Sequence, residues 1–324
     1  ASYNNTITIS GWVASIAQAP SYIKVISALC IIMAALIQSA IFPFHKWLLS
    51  AMTAPTPASA LMHAGFVNGS GILLTMFAPL LIASNTLEIL LVIGGLTAIL
   101  AQFTKLIQVN VKQRLACSTI AQMGFMIMQC GLGFFNAAIA HLILHGFYKA
   151  YLFLSSGEEI EQSRPTEPPV IRIKWFQALI VLLFSLMGAY LFVLFTGKGM
   201  HLDSGIFLTL IVSITIGQAT YNILKHNPLS GIQRIILPPV LFISGIGVYS
   251  LIYNGVTELM VDMPLVASPT QLSITQIVFG IVFLIGFFLM KLGIYRKIPW
   301  IYVKLLNLSQ PKNRTILMYK SKFQ

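Results

Sequence analysis

Two histidines and a lysine recur at helical spacing within an apolar segment, at His141, His145 and Lys149. The surrounding residues 137–154 are long and apolar enough to form a membrane span. At roughly 100° per residue, positions four apart share one helix face, so the three side chains form a stripe about 12 Å long. A lysine near the middle of a span costs about 3 kcal/mol, and such residues usually face a bundle interior or a water-filled path. The stripe therefore predicts proton exchange inside a membrane.

A further histidine, His63, lies in another apolar segment. Burial lowers the pKa of histidine or lysine side chains in general, so groups of this kind can exchange protons near neutral pH. His63 is therefore a candidate for the same proton path, and its alternative role is that of a hydrogen-bonded packing residue. Glu88 is a weaker candidate, because Asn85 with Glu88 three residues later also matches a capping box at a helix start.

The composition predicts that membrane-spanning helices position these residues. Of 324 residues, 57% are hydrophobic and 9% are charged, whereas about 25% are charged in ordinary soluble domains. The sequence predicts an all-α polytopic membrane protein with about nine spans. We expect the spans near residues 22–42, 57–83, 85–107, 109–133, 136–155, 175–196, 204–224, 236–254 and 272–294.

Basic residues are divided unevenly if these spans alternate across the membrane. One side receives only Lys24 and Lys198. By the positive-inside rule, the richer side is cytoplasmic, which predicts a multi-pass protein of the cell (inner) membrane with a cytoplasmic C-terminus. The richer side holds Lys46, Lys105, Lys112, Arg114, Arg164, Arg172, Lys174, Lys225, Arg234 and the basic tail from Lys291 to Lys322.

The same pattern divides the chain into five parts. We expect a polar, weakly structured lead-in (1–21), core spans with the proton-path residues (22–160), a cytoplasmic loop (161–174), further spans (175–294) and a basic cytoplasmic tail (295–324). The start at Ala1 without methionine is compatible with a processed chain, a cropped chain or one piece of a split protein.

Soluble-enzyme chemistry is not indicated. The sequence has no phosphate loop, paired carboxylates or nucleophile elbow, and its three cysteines are scattered without metal-type spacing. We expect a chain without a metal site or cofactor of its own, which moves ions rather than catalysing a reaction.

Three blocks of sequence resemble the antiporter-like membrane subunits of respiratory complex I and of Mrp-type cation antiporters. They are Phe42-Pro43-Phe44-His45-Lys46-Trp47 with residues 51–64, then residues 112–124 (KQRLACSTIAQMG), then residues 141–157. The resemblance covers roughly residues 22–160. It implies an antiporter-like bundle with broken helices, in which His63, His141, His145 and Lys149 belong to a central hydrophilic axis used for proton transfer.

The chain departs from that family at three points. Gln38 stands where complex I relatives typically carry a lysine, and Lys198 is only a possible stand-in for a later family lysine. The upstream half of the family fold is missing, which a second chain could supply. The tail, Pro299 to Pro311, is similar to the branch of the family that serves inorganic-carbon accumulation. That branch implies a cytoplasmic, DabA-like partner that resembles a zinc β-carbonic anhydrase, so zinc is expected in the partner.

The resemblance favours a membrane subunit that conducts protons or sodium to drive such a partner in carbon dioxide and bicarbonate accumulation. Two alternatives remain open. One is a complex I or Mrp-type subunit that moves protons or other cations. The other is a passive membrane anchor for a partner, which Gln38 and the missing upstream half favour.

Overall fold

The structure is a computed structural model, which describes residues 13, 15–16, 18–156, 175–197, 203–210, 212–213, 216–217, 232–265, 267–293, 295 and 298–311. Within these residues the chain is helical, apart from turns and two isolated bridges, Phe134 to Ala267 and Asp203 to Gln271. The all-α prediction is therefore confirmed. The predicted loop 161–174 and residues 312–324 of the tail lie outside the described residues.

The first helix, α1 (Ser21–Gln38), ends four residues before the predicted boundary at Phe42. Its end is set by the backbone at Ala40, whose φ of +53° cannot continue a right-handed helix. The Trp47 indole N–H donates to the carbonyl of Ile37 at 3.0 Å, and the same oxygen accepts the backbone N–H of Ala40 at 3.2 Å. A short helix, α2 (Lys46–Ser50), and a 3-10 turn (Ala51–Thr53) follow.

The lead-in before α1 differs from the sequence prediction wherever it is described. Residues 13, 15–16 and 18 are helical, and Ile16 is buried against the main core. An apolar contact of this kind stabilises a terminal segment that composition alone marks as weakly structured.

The next predicted span, 57–83, is not one helix. It consists of α3 (Thr56–Ala64), a 3-10 turn (Phe66–Asn68), α4 (Gly69–Met76) and α5 (Ala78–Ala83). The first break follows Gly65, whose φ and ψ of −117° and −67° depart from helical values. The break is tied to α1, because the Ser39 hydroxyl donates to the carbonyl of Val67 at 2.7 Å. This segment is the broken helix that the family resemblance implies.

Helices α6 (Leu87–Ile107) and α7 (Val111–Gly131) form the most extensive helix pair. Glycines let their backbones touch: a Cβ on Gly124 would lie 2.7 Å from the backbone nitrogen of Ala98 and the carbonyl oxygen of Gly94. Close approach through small residues is the usual packing device of membrane helices. Beyond its first turn α7 is buried along nearly its whole length, so this polar helix lies inside the bundle.

Helix α8 (Phe135–Leu154) packs against α3 and α7 and presents the ionisable stripe to them. A second apolar core joins the remaining described helices to α6, α7 and α8 through residues such as Phe192, Phe242 and Phe279. These helices are α9 (Trp175–Thr196), the helical residues 205–210, α10 (Gln233–Leu259) and α11 (Ile274–Leu292).

The last described helix, α12 (Pro299–Leu308), packs on the end of α6 through Leu305, which contacts the cluster of Ile107 and Tyr295. Two side chains from the core close its C-terminal end. The His45 ring N–H donates to the carbonyl of Leu308, and the Gln113 amide donates to the carbonyl of Ser309, both at 2.8 Å. The tail helix is therefore held on the same end of the bundle as the start of α7.

Four described helices are long and apolar enough to cross a membrane: Ser21–Gln38, Leu87–Ile107, Phe135–Leu154 and Ile236–Leu259. Shorter apolar helices occur at Leu186–Thr196 and Ile274–Gly286. The chain is a multi-pass membrane protein, and the number nine for its spans stays a prediction.

Candidate functional site

The stripe on α8 faces the interior of the bundle. Lys149 is fully buried and His145 is 5% exposed, while His141 is half-buried. The rings of His141 and His145 lie nearly parallel with centroids 6.1 Å apart. The helix thus places the three groups on one inward face, as their spacing predicts.

His63 is brought to the stripe from α3. It is fully buried, and its ring stacks on Phe153 with centroids 4.5 Å apart and planes at 19°. Phe153 lies one turn beyond Lys149 on α8, and the charge of Lys149 acts directly on the His63 ring. Four candidate residues predicted from two separate segments therefore form one cluster.

The approach of α3 to α8 depends on the break after His63. A Cβ on Gly146 would lie 3.0 Å from the carbonyl oxygen of Ala64, so the two backbones are nearly in contact there. The Asn68 amide, inside the break, donates to Ala64 at 2.6 Å and to Leu142 on α8 at 3.5 Å. The broken segment thus binds to the helix that carries the stripe.

The Lys149 ammonium is held by the backbone of α7. It donates to the carbonyl of Leu115 at 3.2 Å, and the same oxygen accepts the Thr119 hydroxyl at 3.2 Å. The charge that acts on it comes from Lys105, and no acidic side chain of the described residues opposes it. A buried ammonium with so little compensation is costly to keep in the interior of the bundle.

Both ring nitrogens of His63 and of His145 have no hydrogen-bond partner within the described part of the chain. Buried polar atoms left open in this way are normally satisfied by ordered water. Water between the rings and the Lys149 ammonium would give the continuous hydrogen-bonded chain that proton transfer needs.

One weaker candidate, Glu88, is not brought to this cluster. The capping box at Asn85 and Glu88 does not form: the helix cap is Thr86, whose side chain makes no capping hydrogen bond, and Asn85 has a φ of +53°. Glu88 is exposed and accepts a hydrogen bond from the Thr275 hydroxyl at 3.3 Å. Lys198 lies outside the described residues.

Sequence reasoning missed three residues that act on the site. Lys105 was expected to extend toward the cytoplasmic surface, yet its charge acts on Lys149. Thr119 shares the carbonyl acceptor of Lys149. Gln38 donates to the carbonyl of Phe66 at 3.3 Å, so the residue that replaces the family lysine binds to the helix break. The bonds of Lys149 to Leu115 and of Gln38 to Phe66 do not follow from local spacing, because each joins residues of separate segments.

A family model described as NADH:quinone oxidoreductase/Mrp antiporter, TM, matches residues 2–223. The chain belongs to this family of antiporter-like membrane proteins, which confirms the resemblance found in its motifs.

Several curated relatives, 36–48% identical, are named probable inorganic carbon transporter subunits of the DabB type. DabB1 of Halothiobacillus neapolitanus is 36% identical over 242 residues, covering 68% of this chain and 43% of the relative. The chloroplastic NAD(P)H-quinone oxidoreductase subunit 5 of Oryza sativa is 40% identical over 147 residues, or 45% of this chain and 20% of that protein. The matches span 26–43% of the length of the DabB relatives.

Among solved structures, a chain of the Mrp complex from Dietzia sp. DQ12-45-1b aligns with 93% of this chain and 37% of its own length. The TM-score is 0.48 and the sequence identity is 22%.

Proposed function

We propose that this chain is the membrane subunit of an inorganic-carbon accumulation complex and conducts protons or sodium along His63, His141, His145 and Lys149. The chain itself is not the catalyst. The ion movement drives a cytoplasmic, DabA-like zinc partner that hydrates carbon dioxide to bicarbonate. The names of the DabB relatives support this assignment of the complex.

The observation that carries the ion-conducting part is the placement of the four ionisable groups. Lys149 and His63 are fully buried, and the charge of Lys149 acts on both His63 and His145. Apolar side chains would pack here at lower cost, because a buried ion or unpaired ring nitrogen loses its hydration. Retaining four such groups in one cluster is typical of a proton relay within a membrane.

The first experiment removes the relay. We expect Lys149→Ala and His145→Ala, at normal expression, to lower carbon uptake by roughly a hundredfold or more, as for other lost proton-transfer groups. Uptake is measured as growth and bicarbonate accumulation in cells that depend on the complex. Phe147→Ala is the matched control, because Phe147 lies on the same helix but is 79% exposed. Unchanged uptake in both relay variants would remove the axis from the mechanism.

A complex I or Mrp-type subunit is the second candidate. It is favoured by the match to the chloroplastic quinone oxidoreductase subunit, which is 40% identical over 147 residues. Co-purification separates the two: a large zinc protein supports the carbon complex, whereas a set of quinone-reductase or antiporter subunits supports the alternative.

A passive anchor is the third candidate. The Gln38 bond to the break at Phe66 supports it, because this contact is structural where relatives typically carry a lysine. Collapsing the ion gradient with an uncoupler decides the matter. Partner activity that persists in such cells shows that anchoring is sufficient, and activity that stops shows that ion movement is required.

A further inference from the structure

A second group of buried polar side chains lies between α7 and α10, toward the turn that joins α7 to α8. Gln129 on α7 is fully buried, and neither of its amide atoms has a hydrogen-bond partner among the described residues. On α10 the hydroxyls of Tyr249 and Ser250 are buried and likewise without a partner in that part of the chain. Ser250 is only 1% exposed.

Gln129 and Tyr249 lie close to each other across the two helices, and Ser250 follows Tyr249 on α10. The Gln129 side chain acts on the Tyr249 hydroxyl as a neighbouring polar group, but the pair does not reach the full geometry of a hydrogen bond. One turn further along α10, the hydroxyl of Tyr253 accepts a hydrogen bond from the Asn136 amide at 2.8 Å. The ring of Phe192 packs against Tyr249 and Tyr253, and its centroid lies 5.8 Å from the ring centroid of each. Gln129, Tyr249, Ser250 and Tyr253 thus form a polar strip, which is separate from the ionisable stripe and continues along α10 to the start of α8.

Leaving such groups open in a dry interior is unfavourable. Each buried amide or hydroxyl without a partner costs about 1–3 kcal/mol, and three occur here on facing helices. Ordered water, which makes two to four hydrogen bonds to otherwise open groups, is the usual solution. Water beside Gln129 and Tyr249 would complete the hydrogen bonds that these side chains leave open.

The strip starts where the ionisable stripe ends. The His141 ring lies 5.3 Å from the ring of Phe125, and Phe125 precedes Gln129 by one helical turn on α7. Lys149 binds Leu115 near the opposite end of α7. The two polar groups thus occupy successive stretches of α7, with Phe125 at their junction.

We propose that Gln129, Tyr249 and Ser250 line a water-filled outlet, which carries protons between His141 and the end of the bundle where α7 turns into α8. The claim that protons move through this outlet rests on the proposed function. Its existence as a wet passage rests on the open polar atoms alone.

Thiol reactivity tests whether the passage is wet. In the full chain with Cys30, Cys117 and Cys130 replaced by serine, Ser250→Cys is compared with Ile246→Cys. Ile246 is fully buried one turn earlier on α10. The probe is silver ion, which enters narrow aqueous passages, followed by mass spectrometry of the thiol that remains free. A thiol in contact with water reacts readily and one in an apolar core is inert, so we expect Ser250→Cys to react roughly tenfold faster or more. Equal reactivity at the two positions overturns the outlet.

Proton flux in membrane vesicles tests whether the passage conducts. We expect Gln129→Leu and Ser250→Ala to lower flux by roughly tenfold, equivalent to about 1.4 kcal/mol in the barrier. Ser244→Ala on the same helix is the control, since Ser244 is exposed and donates to the Leu241 carbonyl at 3.1 Å. Normal flux in both outlet variants, together with lost flux in Lys149→Ala, overturns the conducting role. If Lys149→Ala itself conducts normally, the proposed function fails, while the silver reaction still decides the outlet.

Discussion

At the scale of single residues, the site shows polar atoms kept where packing alone would exclude them. His63 is fully buried, makes one ring stack with Phe153, and leaves both nitrogens without a partner in the described chain. Replacing an unsatisfied polar group by an apolar one of similar size is neutral or stabilising. The reason for a histidine at this position therefore lies in the chemistry of its ring nitrogens and not in the packing of its ring.

Replacing His63 should therefore preserve or raise stability while it lowers activity. We expect His63→Leu to unfold at the same temperature as the wild type or higher, because the buried ring nitrogens are removed. Proton flux in membrane vesicles should nevertheless fall by roughly tenfold or more, as when other proton-transfer groups are lost. Thermal unfolding in detergent and a pH-sensitive dye inside the vesicles measure the two effects. A variant that is destabilised but conducts normally would make His63 a packing residue.

His45 differs from His63 because it lies between helices at the end of the bundle that holds the tail. Burial lowers the pKa of His45 from its ordinary value of 6.5, and the nearby charge of Lys46 lowers it further. The carbonyls of Leu308 and Pro43 offset part of this effect. Since the folded-state pKa is lowered, the stabilisation from neutral His45 is present above about pH 6.5 and is lost as the pH falls toward the lowered value.

The pH dependence of stability tests this contact. His45→Gln retains an N–H that can donate to the Leu308 carbonyl but cannot titrate. We expect the melting temperature of the wild type to fall more between pH 8 and pH 5 than that of His45→Gln. Equal falls in the two proteins would show that this histidine does not report on tail docking.

At the scale of elements, close backbone contact between α6 and α7 fixes the position of the stripe. Helix α7 supplies the Leu115 carbonyl to Lys149 and the Phe125 ring to His141, so any shift of α7 moves both contacts. Gly94 and Gly124 set that position, because a Cβ on either would lie 2.7 Å from backbone atoms of the other helix.

A single methyl group should therefore disturb this pair. We expect Gly124→Ala to destabilise the protein by about 1–3 kcal/mol, since overpacking against backbone cannot be relieved by side-chain rotation. Gly247→Ala on α10 is the control, because a Cβ there meets nothing within 4 Å and alanine favours a helix by about 1 kcal/mol. Thermal unfolding of the two variants in detergent distinguishes them. A Gly124→Ala protein as stable as Gly247→Ala would contradict tight packing of α6 on α7.

At the scale of the whole molecule, the distribution of basic residues and the tertiary structure give one consistent picture of the two ends. Lys112 and Arg114 at the start of α7, His45 and the tail helix α12 all lie at one end, held by the bonds of His45 and Gln113 to the tail. The turn at Gly133 lies at the other end. The positive-inside rule predicts that the end with the tail is cytoplasmic.

Labelling of cysteines at exposed turns tests that orientation. Val109, before α7, is 96% exposed, and Val261, after α10, is 78% exposed. In a chain without its three native cysteines, we expect an impermeant maleimide to label Val261→Cys in intact cells. Val109→Cys should be labelled only in inverted vesicles. The reverse pattern would invert the proposed topology.

The helical character, the location of the four candidate spans and the grouping of His141, His145 and Lys149 follow from the sequence. Each depends on apolar composition or on a repeat of four residues within one helix, and both are local properties. The motifs around Pro43, Lys112 and His141 also indicated the family, which the match over residues 2–223 confirms.

Only the tertiary structure places His63 against Phe153, Lys149 on the Leu115 carbonyl and Lys105 close enough to act on that ammonium. It also divides the segment 57–83 into separate helices and removes Glu88 from the site. The reason is physical: spacing along a chain fixes which residues share a helix face, whereas the partner of that face depends on helix breaks and on glycine contacts. Those contacts join residues far apart in sequence.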